Sequence, residues 1–512
     1  MSMPAEHMNA APTLADLLQG YAQAPEIPVQ GIASDSRLLQ HGFLFLAVQG
    51  MSSHGLDYLE QAKRAGVCAI AWDTSTGADP GEIGVPAIAI DDLAGKLGEL
   101  ANRYYGRPSE QLKVLGVTGT NGKTTVAWLI AQAQEILGER CAYLGTLGYG
   151  VDAVDGGEGM TTPAAVELHG HLADFVTAGA TSAAIEVSSH ALTQGRVDGV
   201  RFDTAMFTNL TRDHLDYHAD MREYFDSKAQ LFLACHPKDR IVNVDSEYGV
   251  QLAAQCGEDV VSVSTTPDLA SNERPHVFVR SIIATEQGFD VAFVSSWGAG
   301  NFALQLPGDF NVANAVLVLA LLLKKGVPLD AACDVMSQLS APPGRMQRVA
   351  VDAVDRSLQC MAKDGPAAFV DYAHTPDALD VALRALRAHC RGKLWCVFGC
   401  GGDRDKGKRP QMGKVAEQLS DRVVVTTDNP RSEDPAKIAE AVAEGVRAAG
   451  AEPLVVLDRR EAIATALDTA DERALVLVAG KGHEAYQTIG NNRIPFSDQD
   501  VVRTEVRRAR CA

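Results

Sequence analysis

The 512 residues exceed what one hydrophobic core organises, and at roughly 150 residues per domain they point to about three domains. Hydrophobic residues at 46%, charged residues at 22% and 46 glycines exclude a chain disordered over most of its length. A formal net charge of -19 excludes a general binder of nucleic acid or anionic membranes, so any anionic ligand has to be held by local groups.

Residues 1–15 contain Glu6 and no basic stretch leading into an apolar one, so no secretory signal is expected and a cytoplasmic location is. Up to residue 105, β-rich runs at 42–48 and 67–72, separated by Gly, Ser and Asp, predict a small α/β or α+β domain. Apolar spacing predicts a helix over 93–105, stopped before Pro108. Within 106–341, strand runs at 113–117, 182–187, 204–208 and 240–244 alternate with helix patterns, which predicts a parallel sheet covered on both faces. Short alternating strands are expected over 266–306 and a helix over 312–325, before the hinge signal Pro342-Pro-Gly344. The last segment, 342–512, returns to α/β alternation with strands at 367–372, 394–398, 423–427, 453–457 and 475–479, a Rossmann-like layout. The longest apolar run, 316–323, is too short to span a bilayer, so no stable membrane insertion is expected. Cysteines at 68, 141, 235, 256, 333, 360, 390, 396, 400 and 511 lack metal-site spacing and predict reduced, mostly buried thiols.

The strongest local signal is an apolar strand running into Gly119-Thr-Asn-Gly-Lys-Thr-Thr125 and then an amphipathic helix. Backbone N–H groups of such a loop, with the helix N-terminus, form a pocket for phosphate oxygens. Lys123 would offset β/γ-phosphate charge and the Thr124 hydroxyl would ligate Mg²⁺. The strict Walker spacing is not met, because Val117 stands at the first glycine position and Gly116 one residue earlier. The bland reading is an ordinary strand-turn-helix connection; the loop alone leaves a ligase, a GTPase-like switch and other ATPases open.

Two further motifs follow predicted strands: Glu186-Val-Ser-Ser-His190 and Thr208-Asn-Leu-Thr-Arg-Asp-His214. Both would emerge at the carboxyl edge of the sheet beside the phosphate loop, where ligands bind in such folds. Singly, Glu186 reads equally as a capping carboxylate, His214 as a turn histidine and Lys228 as a solvated helix lysine. With the loop, these motifs resemble Mur ligases and their folylpolyglutamate synthetase relatives, in order and over essentially the whole chain. The resemblance implies an ATP-dependent acid–amino-acid ligase of bacterial cell-wall synthesis, with Thr124 and Glu186 on one Mg²⁺ and His214 near a second. It implies that Lys228 is carbamylated by CO₂, becoming a carboxylate able to ligate metal. Loop residues Gly119, Thr120, Asn121, Gly122, Lys123, Thr124 and Thr125 are then ATP-binding, joined by Asn311, Asn314, Arg345 and Asp371.

Asp428-Asn-Pro-Arg431, after a predicted strand, is similar to the motif of Mur ligases that select meso-diaminopimelate; a surface β-turn is the alternative. Diaminopimelate has a second carboxylate that lysine lacks, and a guanidinium such as Arg431 grips a carboxylate bidentately. Arg404, Asn429, Pro430, Gly480 and Glu484 match further amino-acid positions, with Glu484 suited to an ammonium. For the UDP-N-acetylmuramoyl-L-alanyl-D-glutamate substrate the resemblance points to Ser34, Ser36, Thr161, Thr162, Ser188, Gln194 and Arg196, while Gly50-Met-Ser-Ser-His-Gly55 matches only loosely. The implied reaction proceeds through an acyl phosphate, protected by domain closure about 341–345, in a chain expected to act as a monomer; a lysine-adding or folylpolyglutamate-type ligase is the alternative.

Overall fold

A computed structural model describes residues 11–50, 53–81, 83–156, 160–266, 274–349 and 365–511. Positions 51 and 52 of the N-terminal loop, and Cys360, lie outside the described residues. The chain divides into two compact units, Met1–Val260 and Val261–Ala512, a division that falls inside the segment 106–341.

The first unit opens with four parallel strands, Gly31–Ala33, Phe43–Ala47, Ala69–Asp73 and Ala87–Ile90, hydrogen-bonded in chain order. Successive side chains face opposite sides of a strand. Thus Leu44 and Leu46 join Leu14, Leu18, Leu100 and Tyr104 in one cluster, while Phe45 and Ala47 join Ala62 and Ile70 in the other. Both faces are covered, so the domain is α/β. The helix Leu97–Tyr104 packs on Ala165–Thr177, and Gly98 lies against the Asp198 carbonyl, where a Cβ would come within 2.1 Å.

The larger sheet of this unit runs Asp239–Asn243, Phe202–Phe207, Lys113–Thr118, Ser182–Glu186, Cys141–Gly145, all parallel, with Gly148–Gly150 and Asp155–Gly156 antiparallel at the edge. Lys113–Thr118 sits centrally and is buried after its first residue, as expected for a strand covered on both faces. Gly116 belongs to this strand: a Cβ there would meet the Phe202 ring at 2.7 Å. The offset from Walker spacing therefore reflects sheet packing rather than a displaced phosphate glycine.

In the second unit Val261–Ser264 pairs parallel with His276–Ala284, which continues antiparallel through Phe289–Ser295 and Gly298–Leu304. Asp309–Lys324 is buried around most of its circumference. The last sheet has the order Gln347–Arg348, Ala367–Asp371, Leu475–Ala479, Leu394–Phe398, Arg422–Val425, Leu454–Val455, parallel except for the first pair. The expected strand at 453–457 is shorter, an exposed edge of two residues, and the strand Arg422–Val425 ends with Thr426 N–H on the Phe398 carbonyl before the site loop begins. The hairpin Tyr486–Ile489 with Asn492–Pro495 was not expected.

Cys396 and Cys400 are buried, Cys68, Cys141, Cys235, Cys256, Cys333 and Cys390 are partly buried, and none of these eight is in a disulfide. Burial pushes the Cys141 and Cys235 thiols up to about 11, so neither is a ready nucleophile. Among the described residues no helix is long and apolar enough to cross a membrane.

Candidate active site

Lys113–Thr118 delivers the loop directly to the helix Lys123–Ile136. Gly122 caps that helix at φ 87°, and Gly119 adopts φ 146° where a Cβ would lie 1.9 Å from the Thr208 hydroxyl oxygen. Backbone conformation at both positions, and space at Gly119, demand glycine. Lys123 folds back over the loop, donating from Nζ to the carbonyls of Gly119 (3.0 Å) and Thr120 (2.9 Å). This leaves an ammonium beside the helix N-terminus, the combination that attracts phosphate.

The next strand's loop buttresses the first. Thr120 N–H donates to the Asn209 carbonyl at 2.9 Å, Asn121 N–H to Asn209 Oδ1 at 3.0 Å, and the Thr208 hydroxyl to the Asn121 carbonyl at 2.6 Å.

Glu186 ends its strand fully buried. Its Oε1 accepts from the Tyr143 hydroxyl (2.6 Å) and Thr146 N–H (2.8 Å), and its Oε2 from the hydroxyls of Thr124 (3.0 Å) and Thr146 (3.3 Å). The capping reading does not hold, because Ser188 caps the following helix through a bond from Ala191 N–H. Gly145 makes room for the carboxylate, since a Cβ would fall 2.1 Å from Oε1. A carboxylate and a threonine hydroxyl touching at the phosphate end of a helix are the hard oxygen donors that Mg²⁺ takes, so these residues fit that ion.

Lys228 is 1% exposed, which overturns the solvated-lysine reading. Helical spacing in Met221–Leu233 turns Tyr224, Lys228, Leu231 and Phe232 inward together. Lys228 Nζ donates to the Gly119 carbonyl at 2.9 Å and lies 4.5 Å from the Tyr224 ring centroid. Burial, with Lys123 close by, drives its pKa well below the ordinary lysine range against the pull of Asp213. Tyr224 in turn shares a 3.2 Å hydrogen bond with the Thr120 hydroxyl.

His214 does occupy a turn, at φ 52°, and is exposed enough to meet a ligand. Its ring stands 5.1 Å from His190 and 5.9 Å from Tyr224. His218, which sequence reading passed over, is buried in the same aromatic cluster with both ring nitrogens unpartnered among the described residues; burial lowers its pKa.

Of the residues assigned to the UDP substrate, five gather. The Thr162 hydroxyl donates to the Glu186 carbonyl (2.8 Å) and accepts from Ser188 N–H (3.1 Å), and the Thr161 hydroxyl meets that of Thr146 at 3.3 Å. Arg196 donates to the Thr162 carbonyl at 2.8 Å and to Gln194 Oε1. Ser34 and Ser36 sit instead at the end of the first N-terminal strand, where the Ser36 carbonyl accepts from Gln61.

In the second unit Asn311 and Asn314 are buried on the first turns of Asp309–Lys324. Asn314 donates to Asn311 Oδ1 at 3.1 Å, and Asn311 to the Pro307 carbonyl at 2.7 Å. Asp371 accepts from Met346 N–H (2.7 Å) and Ala373 N–H (2.8 Å); burial raises its pKa, opposed by Arg345. The Arg345 guanidinium stacks 4.8 Å from the Tyr372 ring, and its buried Nε has no hydrogen-bond partner among the described residues. Gly344, at φ 66°, packs on the loop after the strand Leu475–Ala479, and a Cβ would lie 2.1 Å from His483 N.

That loop meets Asp428–Arg431. Asp428 and Asn429 are buried, so the surface-turn reading fails. Gly480, at φ 115°, passes so close that a Cβ would sit 2.5 Å from Asp428 Oδ2. Burial raises the Asp428 pKa, opposed by Arg459 and Lys481. Asn429 donates to Glu484 Oε2 at 2.9 Å. Arg431, at φ 50°, donates from Nη1 to the Gly402 carbonyl at 2.8 Å; a Cβ on Gly401 would touch Arg431 Nη1 at 3.0 Å and Arg404 Cγ at 3.7 Å, so the two arginines flank that glycine. The Pro430 carbonyl packs on Gly402, at 1.9 Å from the place a Cβ would take.

Two buried groups escaped sequence reading. Arg459 forms a two-pronged pair with Asp498, both bonds 2.7 Å, and reaches the Ala479 carbonyl at 2.9 Å. Lys481 bonds Glu484 and Asn429. Neither carries a sequence signal that separates it from a surface charge.

Residues 28–105, 117–322 and 356–482 match, in turn, the Mur ligase family catalytic domain, the Mur ligase middle domain and the Mur ligase glutamate ligase domain. The chain is 42% identical over 478 residues to the UDP-N-acetylmuramoyl-L-alanyl-D-glutamate--2,6-diaminopimelate ligase of Coxiella burnetii, covering 93% of this chain and 95% of that one. A solved structure of a ligase of that name aligns with TM-score 0.72 and 32% identity over 97% of this chain and 99% of its own. Folylpolyglutamate synthase of Mycobacterium tuberculosis shares the fold, with TM-score 0.56 and 19% identity over 81% of this chain and 94% of its own. With the phosphate loop, the buried Glu186 and the last-sheet loops arranged as described, and with these matches along nearly its whole length, the chain belongs to the Mur ligase family.

Proposed function

We propose that the protein joins meso-diaminopimelate to the D-glutamate carboxylate of UDP-N-acetylmuramoyl-L-alanyl-D-glutamate at the expense of ATP, in the cytoplasm, as a step of peptidoglycan synthesis. Three domains share the work: 1–105 for the UDP moiety, 106–341 for ATP and 342–512 for the amino acid. The observation that carries the amino-acid assignment is the charge pattern of the last-sheet loops, with Arg404 and Arg431 flanking Gly401 for a carboxylate and Glu484 on Asn429 for an ammonium.

In this reading the precursor carboxylate attacks the ATP γ-phosphorus, the bond to the bridging oxygen breaks, and an acyl phosphate and ADP result. The amine then adds to the acyl carbon, phosphate leaves, and the amide remains after proton loss. Lys123 offsets charge on the transferring phosphoryl group. Mg²⁺ bound by Thr124 and Glu186, and near His214 and a carbamylated Lys228, would screen the repulsion between carboxylate and triphosphate. The neutral amine that burial favours at Lys228 is the form that adds to CO₂, and a carbamate N–H retains a donor for the Gly119 carbonyl.

Phosphate release from ATP should require the UDP-dipeptide and be fastest with diaminopimelate. A clear preference for lysine or glutamate would overturn the substrate assignment, and full hydrolysis without any amino acid would overturn the ligase. Arg431→Ala is expected to raise the diaminopimelate KM by about 10- to 100-fold, the worth of a charged hydrogen-bonded pair. An equal rise in the UDP-dipeptide KM would contradict the carboxylate grip.

A further inference from the structure

Lys481 has no exposed surface, and its ammonium lies against Asn429 and Glu484, which recognise the amino acid in the reading above. Its burial is built by its neighbours. Gly480 (φ 115°) and Gly482 (φ 55°) take conformations that favour glycine, and added Cβ atoms would run into Asp428 Oδ2 at 2.5 Å and the Gly344 carbonyl at 2.7 Å. With both flanking positions constrained, the side chain between them is directed inward, where Nζ donates to Glu484 Oε2 at 2.8 Å and Asn429 Oδ1 at 3.2 Å.

The consequence is orientational. Asn429 Oδ1 accepts from Lys481 and from Thr488 N–H at 2.9 Å, which fixes the amide so that its NH₂ faces Glu484 Oε2. Oε2 therefore receives two donors, the Asn429 amide and the Lys481 ammonium. Burying an ammonium is costly unless it is paired, and this one spends its pairing on the two side chains whose orientation matters.

We infer that Lys481 is a positioning residue for amino-acid selection, locking Asn429 and Glu484 so that Glu484 presents one oxygen to the ammonium of the incoming diamino acid. This rests on the diaminopimelate reading, which the wild-type assay tests separately. Steady-state kinetics of K481M, E484Q and the double variant, each substrate varied in turn, test it. K481M is expected to raise the diaminopimelate KM about tenfold, with kcat and the KM values for ATP and UDP-dipeptide changed less than about twofold. In the E484Q background the same substitution should add less than about twofold, because the lysine acts through the glutamate. An unchanged diaminopimelate KM, a parallel rise in all three KM values, or effects of K481M and E484Q that multiply independently would each overturn the inference. Should K481M lose its circular dichroism signature, K481Q supplies the same comparison. A wild type that turns over lysine and not diaminopimelate would sink the substrate reading alone, and the cycle would then be read on the lysine KM.

Discussion

Replacing Lys228 with alanine is expected to lower turnover by about a hundredfold or more, the usual scale for removing one group that stabilises transferring charge. The side chain is 1% exposed, its Nζ rests on the Gly119 carbonyl, and burial beside Lys123 favours the neutral amine. An amine in that state reacts with CO₂; an ordinary surface ammonium does not. The variant should fold, because the Gly119 carbonyl that loses this donor keeps the one from Lys123. Formate or acetate should restore part of the activity by entering the vacated space as a free carboxylate, and the carbamate carbon signal of ¹³CO₂-treated wild type should be missing. Full activity of Lys228→Ala would remove the carbamate from the mechanism.

Loss of Asp498 should produce the largest stability change. Arg459 and Asp498 are both inaccessible and joined by two 2.7 Å bonds, and Arg459 also holds the Ala479 carbonyl at the end of a central strand. Asp498→Ala leaves a guanidinium buried without its counter-charge, at a cost of about 3–5 kcal/mol. Replacing both partners, as Arg459→Met with Asp498→Leu, should cost less, since no charge remains to be desolvated. Urea unfolding with hydrogen exchange over residues 475–479 and 498–508 reads both. A single variant as stable as the wild type would show that the pair contributes nothing to the last sheet.

The two expectations differ in how far sequence reaches. Lys228 could be singled out only through resemblance, because its immediate neighbours, Ser227 and Ala229, look like those of any helix lysine; the packing of Met221–Leu233 against the phosphate loop is what buries it. Arg459, beside Arg460 near the start of a helix, and Asp498, at the start of another, are 39 positions apart and read as solvated charges until the last sheet brings them together. Thr124 and Glu186 are likewise separated by 62 positions, yet their meeting was legible, since Thr124 follows and Glu186 ends adjacent strands of one parallel sheet, which finish at a common edge.

By itself the sequence determined the α/β alternation, the phosphate loop, the strand-end motifs and the excess of acidic over basic residues, because hydrophobic period, glycine placement and turn chemistry are local properties. Tertiary structure alone decided which charges are buried and which donors face which acceptors. Those depend on contacts between distant segments, as Lys228 on Gly119, Arg459 on Asp498 and Lys481 on Asn429 show. The phosphate loop needed little more than its own residues to be recognised, whereas the surroundings of Glu484, on which amino-acid choice is proposed to turn, come from two loops separated by some 50 positions and exist only once the last sheet has formed.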